Sequence, residues 1–217
     1  MARSPSKRRP ASSNGAGGRA VAVGLTGGIG AGKSTALSMF RELGAIALSA
    51  DAIVHSLYSS TELKSVLVYR FGPVILDGRG EIDRGRLREA VRGDKAALEW
   101  LERSTHPRVA AEIERALREA PSGAVVVCEV PLLFEAGCED RFDLVVTVEA
   151  SPSVRWDRSA HRFDLEDFSE FDALQAGTKK RTEGSDLVFY NDGTLDHMRD
   201  FVGDAYGHAL SLAEKGL

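Results

Sequence analysis

Cysteine is almost missing from this chain, with two residues in 217, Cys128 and Cys138. Their spacing fits no zinc motif, and Cys128 lies in a valine-rich run. Both are expected as free buried thiols of a reducing compartment, not as a disulfide or a metal site. Long apolar runs are missing too. None approaches the about 18 residues of a membrane-spanning helix, and no secretory leader is recognisable. An excess of positive charge is also lacking: 28 Lys and Arg stand against 32 Asp and Glu, a net of −4, which gives no support for nucleic-acid binding. No internal repeat is found. What is present is ordinary for a globular protein, 43% hydrophobic and 28% charged, and the length allows one domain with a sizeable core.

The charge is uneven. Residues 1–20 carry Arg3, Lys7, Arg8, Arg9 and Arg19 and no acid, so the remainder holds 23 basic and 32 acidic residues, a net of −9. Residues 1–18 are rich in Ser, Pro, Gly and Arg without apolar periodicity, and are expected as a disordered basic tail. They lack the amphipathic face of a transit peptide. Residues 19–217 are expected as the folded domain, in the cytoplasm.

The rest of the chain is organised around Gly27-Gly28-Ile29-Gly30-Ala31-Gly32-Lys33-Ser34. This fits G-x-x-x-x-G-K-[ST], the phosphate-binding P-loop. Its context fits as well: Val21 to Leu25 is a short apolar run, and Leu37, Phe40 and Leu43 follow at helical spacing up to Gly44. Glycines let the backbone wrap an anion with its N–H groups turned inward, and the following helix adds the positive end of its dipole. Gly28, Ile29, Gly30, Ala31, Gly32, Lys33, Ser34 and Thr35 are therefore the candidate set for binding a nucleoside triphosphate. Lys33 can reach the β- and γ-phosphates, and the Ser34 hydroxyl can ligate Mg²⁺.

Ala45 to Leu48 is a second short strand, and Asp51 just beyond it lies at the ligand end of such a sheet. It is a candidate base, or the cap of a helix over Ala52 to Tyr58. Residues 59–120 pattern as helices without strands, with a turn-rich link from Phe71 to Ile82 and a break or kink expected at His106-Pro107. Asp77-x-x-Gly80 imitates a GTPase signature, but no strand precedes it and no Asn-Lys-x-Asp follows. Ala124 to Val130 is a valine-rich strand suited to a sheet buried on both faces. Glu129 near its end could hold the water shell of a metal or merely form a salt bridge. Asp143 to Glu149 and Leu187 to Tyr190 complete five strands. Between them a helix begins at Ser151-Pro152 and carries Arg155, Arg158 and Arg162. Arg158 and Arg162, four apart, are expected on one helix face, suited to a polyphosphate. The fold class is α/β: a three-layer P-loop NTPase fold with a five-stranded parallel sheet.

Taken together, these motifs resemble the dephospho-CoA kinase family over about residues 20–205. The resemblance is carried by the loop from Val23 to Thr35, Leu48-Ser49-Ala50-Asp51, the stretch Ile75 to Arg84, Thr105-His106-Pro107 and Val130-Pro131-Leu132-Leu133-Phe134-Glu135. Arg158, Arg162, Gln175, Asp186 and Asn191 extend it. It implies phosphoryl transfer from ATP, with Mg²⁺, to the ribose 3′-hydroxyl of dephospho-CoA. It also implies Asp51 as the base, Lys33, Arg158 and Arg162 as stabilisers of the transferring charge, a lid over about 152–183, and 59–120 as the CoA-binding insertion. A monomer acting on these small molecules is expected, with neither nucleic acid nor membrane as partner. Ser49, His55, Ala110 and Glu170 depart from residues usual in the family. Those at 49, 55 and 170 favour the alternative of an inactive nucleotide-binding homologue. Another small-acceptor P-loop kinase, of nucleotide or shikimate type, is a further alternative.

Overall fold

The computed structural model describes residues 19–215; the basic segment 1–18 lies outside them. Five strands form one parallel sheet in the order β2-β3-β1-β4-β5. They are β1 (Val21–Gly27), β2 (Ile46–Ser49), β3 (Val125–Glu129), β4 (Leu144–Glu149) and β5 (Leu187–Tyr190). Every residue of β1, β3 and β4 is buried, whereas the edge strands β2 and β5 are half-buried or exposed. That is the reason for the valine runs: a central parallel strand is covered on both faces, so apolar residues do not alternate with polar ones.

One face of the sheet packs on α1 (Lys33–Glu42) and α9 (Leu195–Glu214), joining Val21, Val23, Leu25, Phe40, Val146, Met198 and Val202 in one core. On β1, a Cβ at Gly24 would come within 2.8 Å of Leu133 and Phe142, which approach the strand closely there. α1 ends as expected, with Gly44 at φ +101° as the C′ glycine. Near the amino end of β1, Arg19 grips Asp143 through two bonds of 2.6 and 2.7 Å.

The chain divides into two compact units, one made of the residues up to Ser49 and from Ala116 onward, the other of Ala50–Arg115. The second holds α2 (Ala50–Tyr58), α3 (Thr61–Phe71), α4 (Arg84–Val91) and most of α5 (Lys95–Glu119). Its small core is Leu63, Leu67, Ile75 and Leu87, with Phe71 edge-on to Trp100 at 5.5 Å. Asp77 shapes the turn before α4 by accepting the N–H groups of Arg79 and Glu81, and these bonds hold its carboxyl below the ordinary range.

α5 corrects one expectation. It runs unbroken through Pro107. Proline supplies no N–H to the Arg103 carbonyl. Around it, Ser104, Thr105 and Arg108 donate side-chain hydrogen bonds to the carbonyls of Trp100, Leu101, Glu102 and Ser104. These bonds go to carbonyls other than that of Arg103.

After β4 come α6 (Pro152–Ser159), α7 (Leu165–Leu174) and α8 (Thr178–Gly184). α8 is too short and polar to show a helical period, and the sequence gives no sign of it.

Candidate active site

The glycine loop leaves β1 at the carboxyl end of the sheet and enters α1. Gly27 has φ +144°, and a Cβ there would lie 1.8 Å from the Val148 carbonyl oxygen of the neighbouring strand. Only glycine fits at that point. Gly30 (φ +72°) and Gly32 (φ +106°) hold left-handed conformations that turn the chain into the helix. The first-turn N–H groups of α1 have no helical partners and carry the positive end of the dipole. Lys33 is buried, and its Nζ donates to the carbonyls of Gly27 and Gly28, each at 3.0 Å. Ser34 and Thr35 are exposed on the first turn.

Residues far away in sequence fix this loop. Asn191 Nδ2 donates to the Ala31 carbonyl at 2.8 Å. Gln175 Oε1 accepts from the Ile29 N–H at 2.7 Å, and its Nε2 donates to the carbonyls of Gly27 and Pro131 at 3.3 Å. α6 presses on the loop as well: a Cβ on Gly30 would lie 2.4 Å from the Arg155 carbonyl oxygen and 2.6 Å from Ser159 Oγ. The Arg155 side chain is buried beside Gly28 and pairs with Asp172 at 2.5 Å. Beneath the loop Arg181 pairs with Glu149, the last residue of β4.

Ser34 Oγ lies 3.4 Å from Glu129 Oε1. Glu129 stands in register between Leu25 of β1 and Ser49 of β2, at the carboxyl end of the sheet. A hydroxyl and a carboxylate are hard oxygen donors of the kind Mg²⁺ takes. Among the described residues no cluster of three or more His, Cys, Asp or Glu could hold a metal ion alone.

The structure brings the loop, Lys33, Ser34, Glu129, Gln175 and Asn191 together. Asp51 belongs to the second unit. It is exposed in the first turn of α2, which begins at Ala50, so it lies inside the helix and is not its cap. Arg158 is exposed near the end of α6. Arg162 does not share its helix face: α6 stops at Ser159, and Arg162 sits in the following turn, its N–H donating to the Ser159 carbonyl at 2.8 Å and its guanidinium 5.4 Å from the Phe163 ring centre. Neither arginine is hydrogen-bonded to the loop among the described residues. The buried residues Arg155, Glu149 and Arg181, with the half-buried Asp172, are not legible as a set in the sequence. The one available signal was Glu149, a carboxylate closing a run of buried apolar residues.

A parallel sheet with this loop at its carboxyl end defines a P-loop nucleotide-binding protein. The family model described as dephospho-CoA kinase matches residues 21–197. A dephospho-CoA kinase of Aquifex aeolicus is 35% identical over 186 residues, 85% of this chain and 95% of that one. Another, of Streptomyces avermitilis, is 36% identical over 199 residues, 89% of this chain and 96% of that one. A solved protein from Thermus thermophilus, 29% identical, superposes with a TM-score of 0.75 over 88% of this chain and 98% of its own. The chain belongs to the dephospho-CoA kinase family, phosphotransferases with an alcohol group as acceptor, for which ATP is the co-substrate. No helix among the described residues is long and apolar enough to cross a membrane.

Proposed function

We propose that the chain transfers the γ-phosphoryl group of ATP to the ribose 3′-hydroxyl of dephospho-CoA, the last step of coenzyme A synthesis, as a cytoplasmic monomer. The observation that carries this is the loop itself, with Lys33 folded onto its carbonyls and Ser34 beside Glu129. The bond from the 3′-oxygen to phosphorus forms as the β–γ bridging bond breaks and ADP leaves. In such a transfer positioning and electrostatics do most of the work.

The residues divide that work. Gly28, Ile29, Gly30, Ala31, Gly32, Lys33, Ser34 and Thr35 hold the triphosphate through backbone N–H groups and side chains. Lys33 exchanges its two carbonyl partners for phosphate oxygens, so its charge is already directed at the anion site. Ser34 would ligate Mg²⁺ and Glu129 would orient its water shell; the ion would supply positive charge against the phosphate oxygens. Asp51 takes or orients the 3′-hydroxyl proton, a role for which an exposed carboxylate in a helix first turn is accessible. Arg158 and Arg162, in a lid over about 152–183, stabilise the transferring charge, and the helices within 59–120 bind the CoA portion.

The deciding experiment is product analysis after incubation with ATP, Mg²⁺ and dephospho-CoA. A new 3′-phosphate, with ADP in equal amount, is expected. Consumption of ATP with nucleoside monophosphates and none with dephospho-CoA overturns the assignment.

A further inference from the structure

The segment Pro131–Glu135 lies beside the loop without being part of it, and its contacts run to one place. The Pro131 carbonyl accepts from Gln175 Nε2, and the Phe134 carbonyl accepts from Lys180 Nζ at 3.1 Å. Glu135 Oε1 accepts the N–H of Ala176. α8 rests on the Phe134 ring, which a Cβ on Gly184 would meet at 2.5 Å. The Ala176 carbonyl, in the next peptide, accepts from Arg181 Nη1, while Arg181 Nε and Nη2 are bound by Glu149 at 2.5 and 3.1 Å.

Both backbone polar groups of Ala176, one in each of two successive peptides, are therefore bound by charged side chains. Charge-assisted bonds of this kind are about twice as strong as neutral ones. Gln175 needs such support. It is the C-cap of α7, with extended backbone angles (φ −83°, ψ 144°), and its backbone is tied to the helix by one bond, from its N–H to the Asp172 carbonyl at 3.2 Å. Its side-chain amide meets one N–H and one carbonyl of the glycine loop, from Ile29 and Gly27. Committing the Ile29 N–H to Gln175 sets the rotation of the 28–29 peptide, and with it the direction of the neighbouring groups.

We infer that Glu135 and Arg181 are positioning residues for the phosphate loop, acting through Gln175, and that Pro131–Glu135 serves the donor side of the reaction. The inference rests on the reading that the loop binds ATP. Geometry that is preset need not be organised at the moment of binding, so loosening the clasp weakens ATP binding and leaves the acceptor untouched.

The test compares wild type, Gln175→Ala, Glu135→Ala, Glu135→Gln and Lys33→Ala, measuring KM for ATP and for dephospho-CoA, the ATP dissociation constant and the urea midpoint. Glu135 is exposed, so its variants are expected to fold. ATP affinity should fall about tenfold in Gln175→Ala and several-fold in Glu135→Ala, the scale of one or two lost hydrogen bonds. KM for dephospho-CoA and the urea midpoint should stay at wild-type values. Glu135→Gln keeps an accepting oxygen and should recover most of the loss. A raised KM for dephospho-CoA with ATP affinity unchanged in Glu135→Ala overturns the inference, because the segment then contacts the acceptor. So does a loss of ATP affinity that only tracks a falling urea midpoint. Wild-type ATP affinity in both alanine variants, with Lys33→Ala impaired, sinks the clasp alone. Wild-type affinity in Lys33→Ala sinks the phosphate-loop reading itself.

Discussion

Arg181 closes on both oxygens of Glu149, with 2% of one side chain and 1% of the other exposed. Removing one member of such a pair leaves an uncompensated buried charge, which costs about 3–5 kcal/mol. Arg181→Met should therefore lower the melting temperature by on the order of 10 °C in a chain of this length. Removing both charges, as Glu149→Met with Arg181→Met, should regain most of that loss. Calorimetry on the single and double variants checks this; equal destabilisation in both would place the cost in lost packing instead.

Asp51 separates chemistry from binding. Asp51→Asn keeps the helix first turn and removes the proposed base. The chemical step should slow by about two to four orders of magnitude, the range for a lost general base, while ATP affinity stays. Single-turnover rates with saturating ATP measure this. An unchanged rate leaves Asp51 only a favourable charge at the start of α2.

Gly30 tests the loop without touching a charge. Gly30→Ala puts a methyl group against the Arg155 carbonyl and Ser159 Oγ at a residue with φ +72°. Backbone strain there costs about 1–3 kcal/mol, and relief requires α6 or the loop to move. ATP affinity should drop about tenfold or more by the usual conversion. Equilibrium titration with ATP reads it, and wild-type affinity would show that the loop tolerates displacement.

The thiols give a prediction in pH. Burial pushes Cys128 up to about 12 and raises Cys138 as well. Both should be protonated and slow to react with a disulfide reagent in the native protein at neutral pH, then react fully in denaturant. The sign for stability follows from linkage: the unfolded thiols ionise near 9 while Cys128 holds its proton to about 12. Their contribution is thus complete below 9 and is lost as pH rises through that interval. Urea midpoints across the alkaline range check the direction; a rising midpoint contradicts it.

Much of the fold was legible because its signals are local. The valine runs of β3 and β4, the strand before the loop and Gly44 after α1 follow from burial on both faces of a sheet and from backbone sterics at one residue. The loop was legible because its spacing is rigid. The misses were partly non-local. Pro107 predicts a break or a kink, and the break is absent, since α5 continues through it. Arg158 and Arg162 have helical spacing, yet the helix ends between them. Arg155 resembles a surface charge in sequence, yet it is buried and paired with Asp172. Glu149 and Arg181 are 32 residues apart, and no periodicity links them.

The loop's ties reach far along the chain: Ile29 to Gln175 spans 146 residues, and Ala31 to Asn191 spans 160. A ribosome delivers the glycines long before it delivers their supports. During synthesis the nucleotide site is written early and completed late. Parallel pairing of β1 with β4, and of β4 with β5, must come first, and such long closures are slow. ATP binding should therefore report that the segments bearing Gln175 and Asn191 have reached the loop, and an unfinished chain carries the sequence of the loop without these supports.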